Sequence, residues 1–226
     1  MNIEIIDELY YIKNGKKCRK VQDVGINDAD YRVDIKSELP KKNGKRQRKQ
    51  EFLCHFYTVW KGMLCRCYKK HKNYSGVTVC DEWLIFYNFK SWMEKQDWQG
   101  KELDKDLLIY QNNIYSPDTC LLVDKEINQF LVTCEGRRGQ WYLGVDYSKK
   151  YKKYRARISG QSGKTSPWLG YFEDQLSAHQ CWQKAKIQKA LELYNKQKDP
   201  KIKQGLIRVM NKIKYDLDNN LITEDV

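Results

Sequence analysis

In the stretch YKKYRARIS (residues 151–159), Lys153, Arg155, Arg157 and Ser159 fall on one parity and Tyr154, Ala156 and Ile158 on the other. Successive side chains of a strand point to opposite faces, so this spacing predicts a β-strand with one apolar and one cationic face. Lys149, Lys150 and Lys152 precede or enter the strand, and the following PWLGYF run brings Trp168 as a planar group that can share the cationic face. Guanidinium groups pair with guanine edges and ammonium groups with phosphates, and an exposed sheet of this kind can enter a DNA major groove. An ordinary solvated sheet surface has the same composition, and the alternation alone leaves both readings open.

The charge balance points toward a polyanionic partner. Across 226 residues, 42 Lys and Arg against 29 Asp and Glu leave a formal net charge of +13 at pH 7. Lys and Arg contacts displace condensed counterions from nucleic acid. A hydrophobic fraction of 41% with seven Trp argues for folded structure and against a disordered polyelectrolyte. No apolar run reaches transmembrane length, Met1 opens no signal-peptide pattern, and no long basic amphipathic helix suggests a membrane partner. The expected location is therefore cytoplasmic, with the eight cysteines as thiols rather than a disulfide framework.

Those cationic residues need elements to hold them. Leu9 to Gln22 reads as two short strands joined by Asn14-Gly15, the pair favoured in tight hairpins. Glu38 to Gln50 (ELPKKNGKRQRKQ) cannot bury a core and reads as a loop or arm, either solvated or docked on phosphates. From Phe52, residues Phe56, Val59, Trp60, Met63, Leu64 and Cys67 recur at helical spacing. A short strand at Val77 to Cys80 follows. Then comes a helix opened by Asp81 as N-cap and marked by Trp83, Phe86, Phe89, Lys90 and Met93, its aromatics read as core. Residues 135–140 (EGRRGQ) read as a linker. Three strand candidates come next (WYLGVDY, YKKYRARIS and PWLGYF), then a long helix from about Glu173 to Lys196. A last amphipathic helix follows Asp199-Pro200 and packs on the body through Ile202, Leu206, Val209, Met210 and Ile213. The final ten residues are polar and expected to fray.

From about Gln140 to Asn195 the sequence resembles the AP2 DNA-binding domain, known from plant transcription factors and from phage and homing-endonuclease proteins. The marks are LGVDY, the YRARI strand, WLGYF and a helix beginning ED with SAHQCW. The resemblance implies a three-stranded antiparallel sheet packed on a helix, with alternate sheet residues reading DNA. Carried over by position, it implicates Arg155, Arg157 and Trp168, with Lys150, Lys152 and Lys153 beside them. Asp146 and Ser148 depart from it, standing where the plant proteins place arginine, so no base preference transfers.

From about Phe52 to Leu131 the sequence resembles phage HNH homing endonucleases that carry a C-terminal AP2 domain. The marks are VWKGMLCRCY, GVTVCDEW, LDKDLL and YSPDTCLLVDKEINQFL. The resemblance implies an HNH-like ββα-metal module, in which a metal such as Mg²⁺ or Mn²⁺ stabilises charge on the scissile phosphate while a histidine takes a proton from water. Asp104 falls on the metal aspartate and Asn128 on the helical metal ligand. Lys105 stands where the histidine base belongs, and Thr119 replaces the asparagine that braces the loop. An ordinary lysine has a pKa near 10.4, so Lys105 is either a base made competent by its surroundings or a cation gripping phosphate.

Cys54, His55, Cys65, Cys67, His71 and Cys80, with Cys120 nearby, raise the question of structural zinc. The Cys-x-Cys spacing is not that of a zinc knuckle, and small buried thiols are the expected state. His179 reads as a surface residue of the long helix. The expected fold class is α+β. Residues 1–50 form a hairpin and basic arm, 51–135 the HNH-like module, 136–198 the AP2-like domain, and 199–226 a C-terminal helix and tail. The expected function is double-stranded DNA binding, as a monomer or dimer, by a phage-type relative of HNH/AP2 homing endonucleases whose cleavage is weak or lost. Two alternatives stand beside it: a metal-dependent nicking enzyme using Asp104 and Lys105, and a phage effector whose partner is a host or phage protein.

Overall fold

The computed structural model describes residues 2–69, 74–132, 140–158 and 168–226 and is a mixed α+β chain of small sheets and helices. It divides into two compact units, Met1–Gln99 with Asn112–Thr119, and Gly100–Gln111 with Cys120–Val226. Among the described residues, no helix is long and apolar enough to cross a membrane.

In the first unit, β1 (Ile3–Ile5), β2 (Tyr10–Lys13) and β3 (Lys16–Arg19) form an antiparallel meander. Its Asn14-Gly15 turn has φ of 48° and 75°, the left-handed pair that a two-residue hairpin demands. The expected loop at Glu38–Gln50 is corrected: β4 (Asp34–Lys42) and β5 (Lys45–Leu53) pair antiparallel as a ribbon, with Glu38 opposite Arg48 and Leu39 opposite Gln47. Asn43 and Gly44, at φ 53° and 75°, turn it.

Helix α1 (His55–Tyr68) buries Trp60, Met63 and Leu64, and the Trp60 Nε1 donates to the Trp83 carbonyl at 2.6 Å. Strand β6 (Thr78–Val79) pairs in parallel with Ile114–Tyr115. The helix expected from Asp81 begins later. Asp81–Leu84 is a 3-10 turn, Ile85 is extended, and α2 runs Phe86–Glu94. Long-range pairing overrides helical spacing here, because the Ile26 amide donates to Leu84 and the Ile26 carbonyl accepts from Phe86.

In the second unit, β7 (Lys101–Asp104) pairs antiparallel with Leu121–Asp124, placing Glu102 opposite Val123 and Asp104 opposite Leu121. Ile114–Tyr115 is β8 and belongs to the first unit; in the second, Leu121–Asp124 is β9 and α3 (Lys125–Leu131) follows it directly. Strands β10 (Val145–Ser148), β11 (Lys153–Arg157) and β12 (Trp168–Phe172) make an antiparallel sheet in that order. Helix α4 (Gln175–Lys196) is capped by Asp174, which accepts from the Ser177 amide. Helix α5 (Pro200–Asp218) is capped by Asp199, with Pro200 in its first turn.

One hydrophobic cluster joins Val123, Ile127 and Phe130 to Trp182, Leu193, Ile202, Leu206 and Ile213. The ββα segment and the C-terminal helices therefore share a core. The expected fraying of the tail is also corrected, since Thr223 and Val226 are buried. His179 is not a surface residue but is fully buried. Its Nδ1 lies 2.8 Å from the Leu143 carbonyl, which can only accept, and its Nε2 takes the Thr223 amide at 3.0 Å. These partners define a neutral imidazole with the proton on Nδ1. Thr223 also donates its hydroxyl to Asp216 at 2.7 Å, so the tail is pinned to both helices.

Candidate nucleic-acid interface

The register of the three-stranded sheet fixes its two faces. Val145, Ala156 and Gly170 lie in one row and Tyr147, Tyr154 and Phe172 in another on the same side. Ala156 and Val145 meet Ala178 of α4, with Tyr154, Leu169 and Phe172 packed around them. Gly144 must be glycine here: its φ is +77°, and a β-carbon would lie 2.0 Å from Trp182 Cδ1.

The opposite side is partly exposed among the described residues, with 32% of the Arg155 and 45% of the Arg157 side-chain surface accessible. Asp146, Arg155 and Tyr171 form one row, and Arg157 stands beside Trp168. Arg155 donates to Asp146 Oδ1 at 2.8 Å, and Arg157 pairs with the other carboxylate oxygen. One carboxylate thus holds two guanidinium groups side by side, and the cluster keeps a net positive charge. Trp168 is 62% exposed and its ring lies 5.6 Å from Tyr171, which in turn packs on Tyr151 at 4.8 Å.

The lysines differ among themselves. Lys150 lies in the β10–β11 turn with its ammonium 5.0 Å from the Tyr151 ring, and exposed Lys152 occupies the turn at φ 51°. Lys153 is paired with Glu173 at 2.6 Å. Ser159 lies outside the described residues, as do the expected linker residues 135–139.

The nuclease-like stretch has a different environment. Asp104 is buried at the end of β7, and its Oδ1 accepts from the amides of Asp106 (3.0 Å) and Leu107 (2.7 Å). Burial pushes its carboxyl up to about 6, against the lowering effect of those two amides. Lys105 is also buried, and its amine donates to Asp106 at 2.6 Å. Asn128, on α3, donates its side-chain amide to Glu102, which shares a face of β7 with Asp104. Thr119 belongs to the other unit, where its hydroxyl donates to the Ile114 carbonyl at 2.9 Å.

Two carboxylates and an amide are a chemically suitable donor set for Mg²⁺ or Mn²⁺. Asn128 and Glu102 are in direct contact, and Asp104 lies two residues after Glu102 on the same face of β7. Asp104 turns an oxygen into its own loop, Asn128 offers Glu102 its nitrogen, and among the described residues no group of three or more His, Cys, Asp or Glu is placed to hold a metal ion. Lys105 is turned toward its own loop by its contact with Asp106.

The residue that spacing could not reveal is Arg208 of α5. Its guanidinium donates to the carbonyls of Asp106 (2.9 Å) and Leu107 (3.2 Å), roughly a hundred positions earlier in the chain. It locks the loop that carries Asp104 and Lys105. Among the zinc candidates, Cys54 lies 3.2 Å from the Tyr31 hydroxyl and His55 stacks on Trp98. Burial raises the Cys80 thiol, and His71 lies outside the described residues. The seven described cysteines form no disulfide.

No protein-family model, curated protein or solved structure matches the chain.

Proposed function

We propose that this chain is a double-stranded DNA-binding protein that offers the duplex the partly exposed face of the β10–β11–β12 sheet, and that its HNH-like segment serves as structure rather than as a nuclease. The observation that carries the reading is the partly exposed pair Arg155 and Arg157, held side by side by Asp146 with exposed Trp168 next to Arg157. Arginine presents a planar fork suited to guanine edges and phosphates, and holding that fork before binding lowers the ordering cost of the contact. The sheet face opposite is apolar and packed on α4, so the cationic face sits on a rigid support.

A nicking enzyme remains the competing reading. The buried, loop-bound Asp104 and Lys105 favour the binding role over it. The direct experiment is fluorescence anisotropy with a labelled mixed-sequence duplex, using the full chain and its Arg155→Ala/Arg157→Ala variant. Loss of two charge-assisted contacts should weaken binding about 30- to 1,000-fold at moderate salt, at roughly 1–2 kcal/mol for each contact. Equal affinity for the two proteins would remove the sheet from the interface.

A further inference from the structure

The β4–β5 ribbon has no packing role that explains its length. Each strand has nine residues, and β5 is exposed along its whole length, as is β4 from Glu38 onward. Neither face builds a core, and an isolated two-stranded ribbon is marginal in water. Its base is braced by polar contacts: Gln50 donates to the Asp34 carboxylate and the Ile35 carbonyl, and Ser37 donates to Glu51. The ion pairs it makes lie there too, Lys36 with Asp34 and Lys49 with Glu51.

The distal half is different. From Leu39 to Arg48 the sequence LPKKNGKRQR carries five cations and no acid. Among the described residues, Lys41, Lys42, Lys45, Arg46 and Arg48 make no ion pair. Like charges at this density repel one another, and Lys42 stands directly opposite Lys45 in the register. A partner dense in negative charge relieves that repulsion. At about 3.3 Å per residue, each strand spans about 30 Å, close to one turn of B-DNA, whose major groove admits a two-stranded ribbon. Pro40 removes a backbone donor from the exposed edge, which disfavours recruitment of another β-strand.

We infer that the β4–β5 ribbon is a second duplex-binding element, lying along a groove of double-stranded DNA with Lys41, Lys42, Lys45, Arg46 and Arg48 on its phosphates. This rests on the protein being a duplex binder but is independent of the sheet. The same charges could instead only guard the ribbon's edges against strand pairing, and the two roles separate experimentally.

The test uses the full chain and a labelled mixed-sequence duplex of about three helical turns, with affinity measured against NaCl. In Lys41→Gln/Lys42→Gln/Arg46→Gln/Arg48→Gln, the slope of log K against log[NaCl] should fall in magnitude by about 3–4, at roughly 0.9 per phosphate released. Thermal unfolding should not change, because these side chains pack on nothing. A slope within about 1 of the wild type overturns the inference, and self-association of that variant would then identify edge protection as the role of the charges. Running Arg155→Ala/Arg157→Ala in parallel separates the two claims. A slope lost in the ribbon variant but kept in the sheet variant upholds the ribbon and overturns the sheet reading. The reverse overturns the ribbon alone, and absence of duplex binding by the wild type overturns both. Tighter, equally ribbon-dependent binding to an RNA duplex would overturn the assignment to DNA.

Discussion

Asp104 closes its own loop with one carboxylate oxygen, and its burial leaves a measurable trace. Its carboxyl is pushed up to about 6 in the folded chain, against an ordinary value of 3.8. Below pH 4 it is protonated in both folded and unfolded states. As pH rises, the unfolded chain ionises first, so stability falls between about pH 4 and 6 and stays lower above that, by on the order of 2–3 kcal/mol. Asp104→Asn keeps an acceptor for the two amides and removes the titration. Urea unfolding at pH 4 and pH 7 should show that the variant gains stability relative to the wild type at pH 7 by about that amount and gains little at pH 4. A variant equally destabilised at both values would contradict this origin. At the same scale, the sequence marked Arg155, Arg157 and Trp168 because alternation alone assigns them a face. It could not mark His179 as buried, because the group that covers it, the Thr223 amide, returns from 44 positions away.

Helix α5 supplies two residues to the loop after β7. Arg208 donates to its carbonyls, and Gly205 lets it come close. A β-carbon at Gly205 would lie 2.5 Å from Leu107 Cγ and 2.7 Å from the Leu107 carbonyl oxygen, which Arg208 already holds. Alanine is the better helix former by about 1 kcal/mol, yet Gly205→Ala should lower stability by roughly 1–3 kcal/mol. Chemical denaturation reads the sign directly, and a more stable variant would mean that the loop moves freely. The elements that local chemistry specifies were legible in the sequence: the Asn14-Gly15 turn, the two-faced β11 and the Asp199-Pro200 helix start. Two others were not. Ile85 is pulled out of a helical pattern by Ile26, a partner 59 positions earlier. The β4–β5 ribbon contains the same Asn-Gly turn signal, but its strands lack the apolar alternation that would have shown them as strands.

For the whole molecule, the +13 charge is not spread as a uniform solvated coat. Within one compact unit it concentrates on the distal ribbon, and within the other it includes the partly exposed arginine pair of the sheet. The nuclease-like segment contributes apolar residues of β9 and α3 to a core shared with α4 and α5, and this structural role needs no cleavage chemistry. Supercoiled plasmid incubated with the purified chain and Mg²⁺ or Mn²⁺ should therefore stay closed. Nicking that disappears in both Asp104→Ala and Lys105→Ala would restore the metal-dependent enzyme with Lys105 as its base. The most direct measurement of the central claim is the salt dependence of duplex binding by the wild type and by Arg155→Ala/Arg157→Ala. Sheet-mediated binding requires the slope to fall in magnitude by about 2 in the variant, with weaker affinity at every salt concentration. Superimposable lines for the two proteins would contradict it.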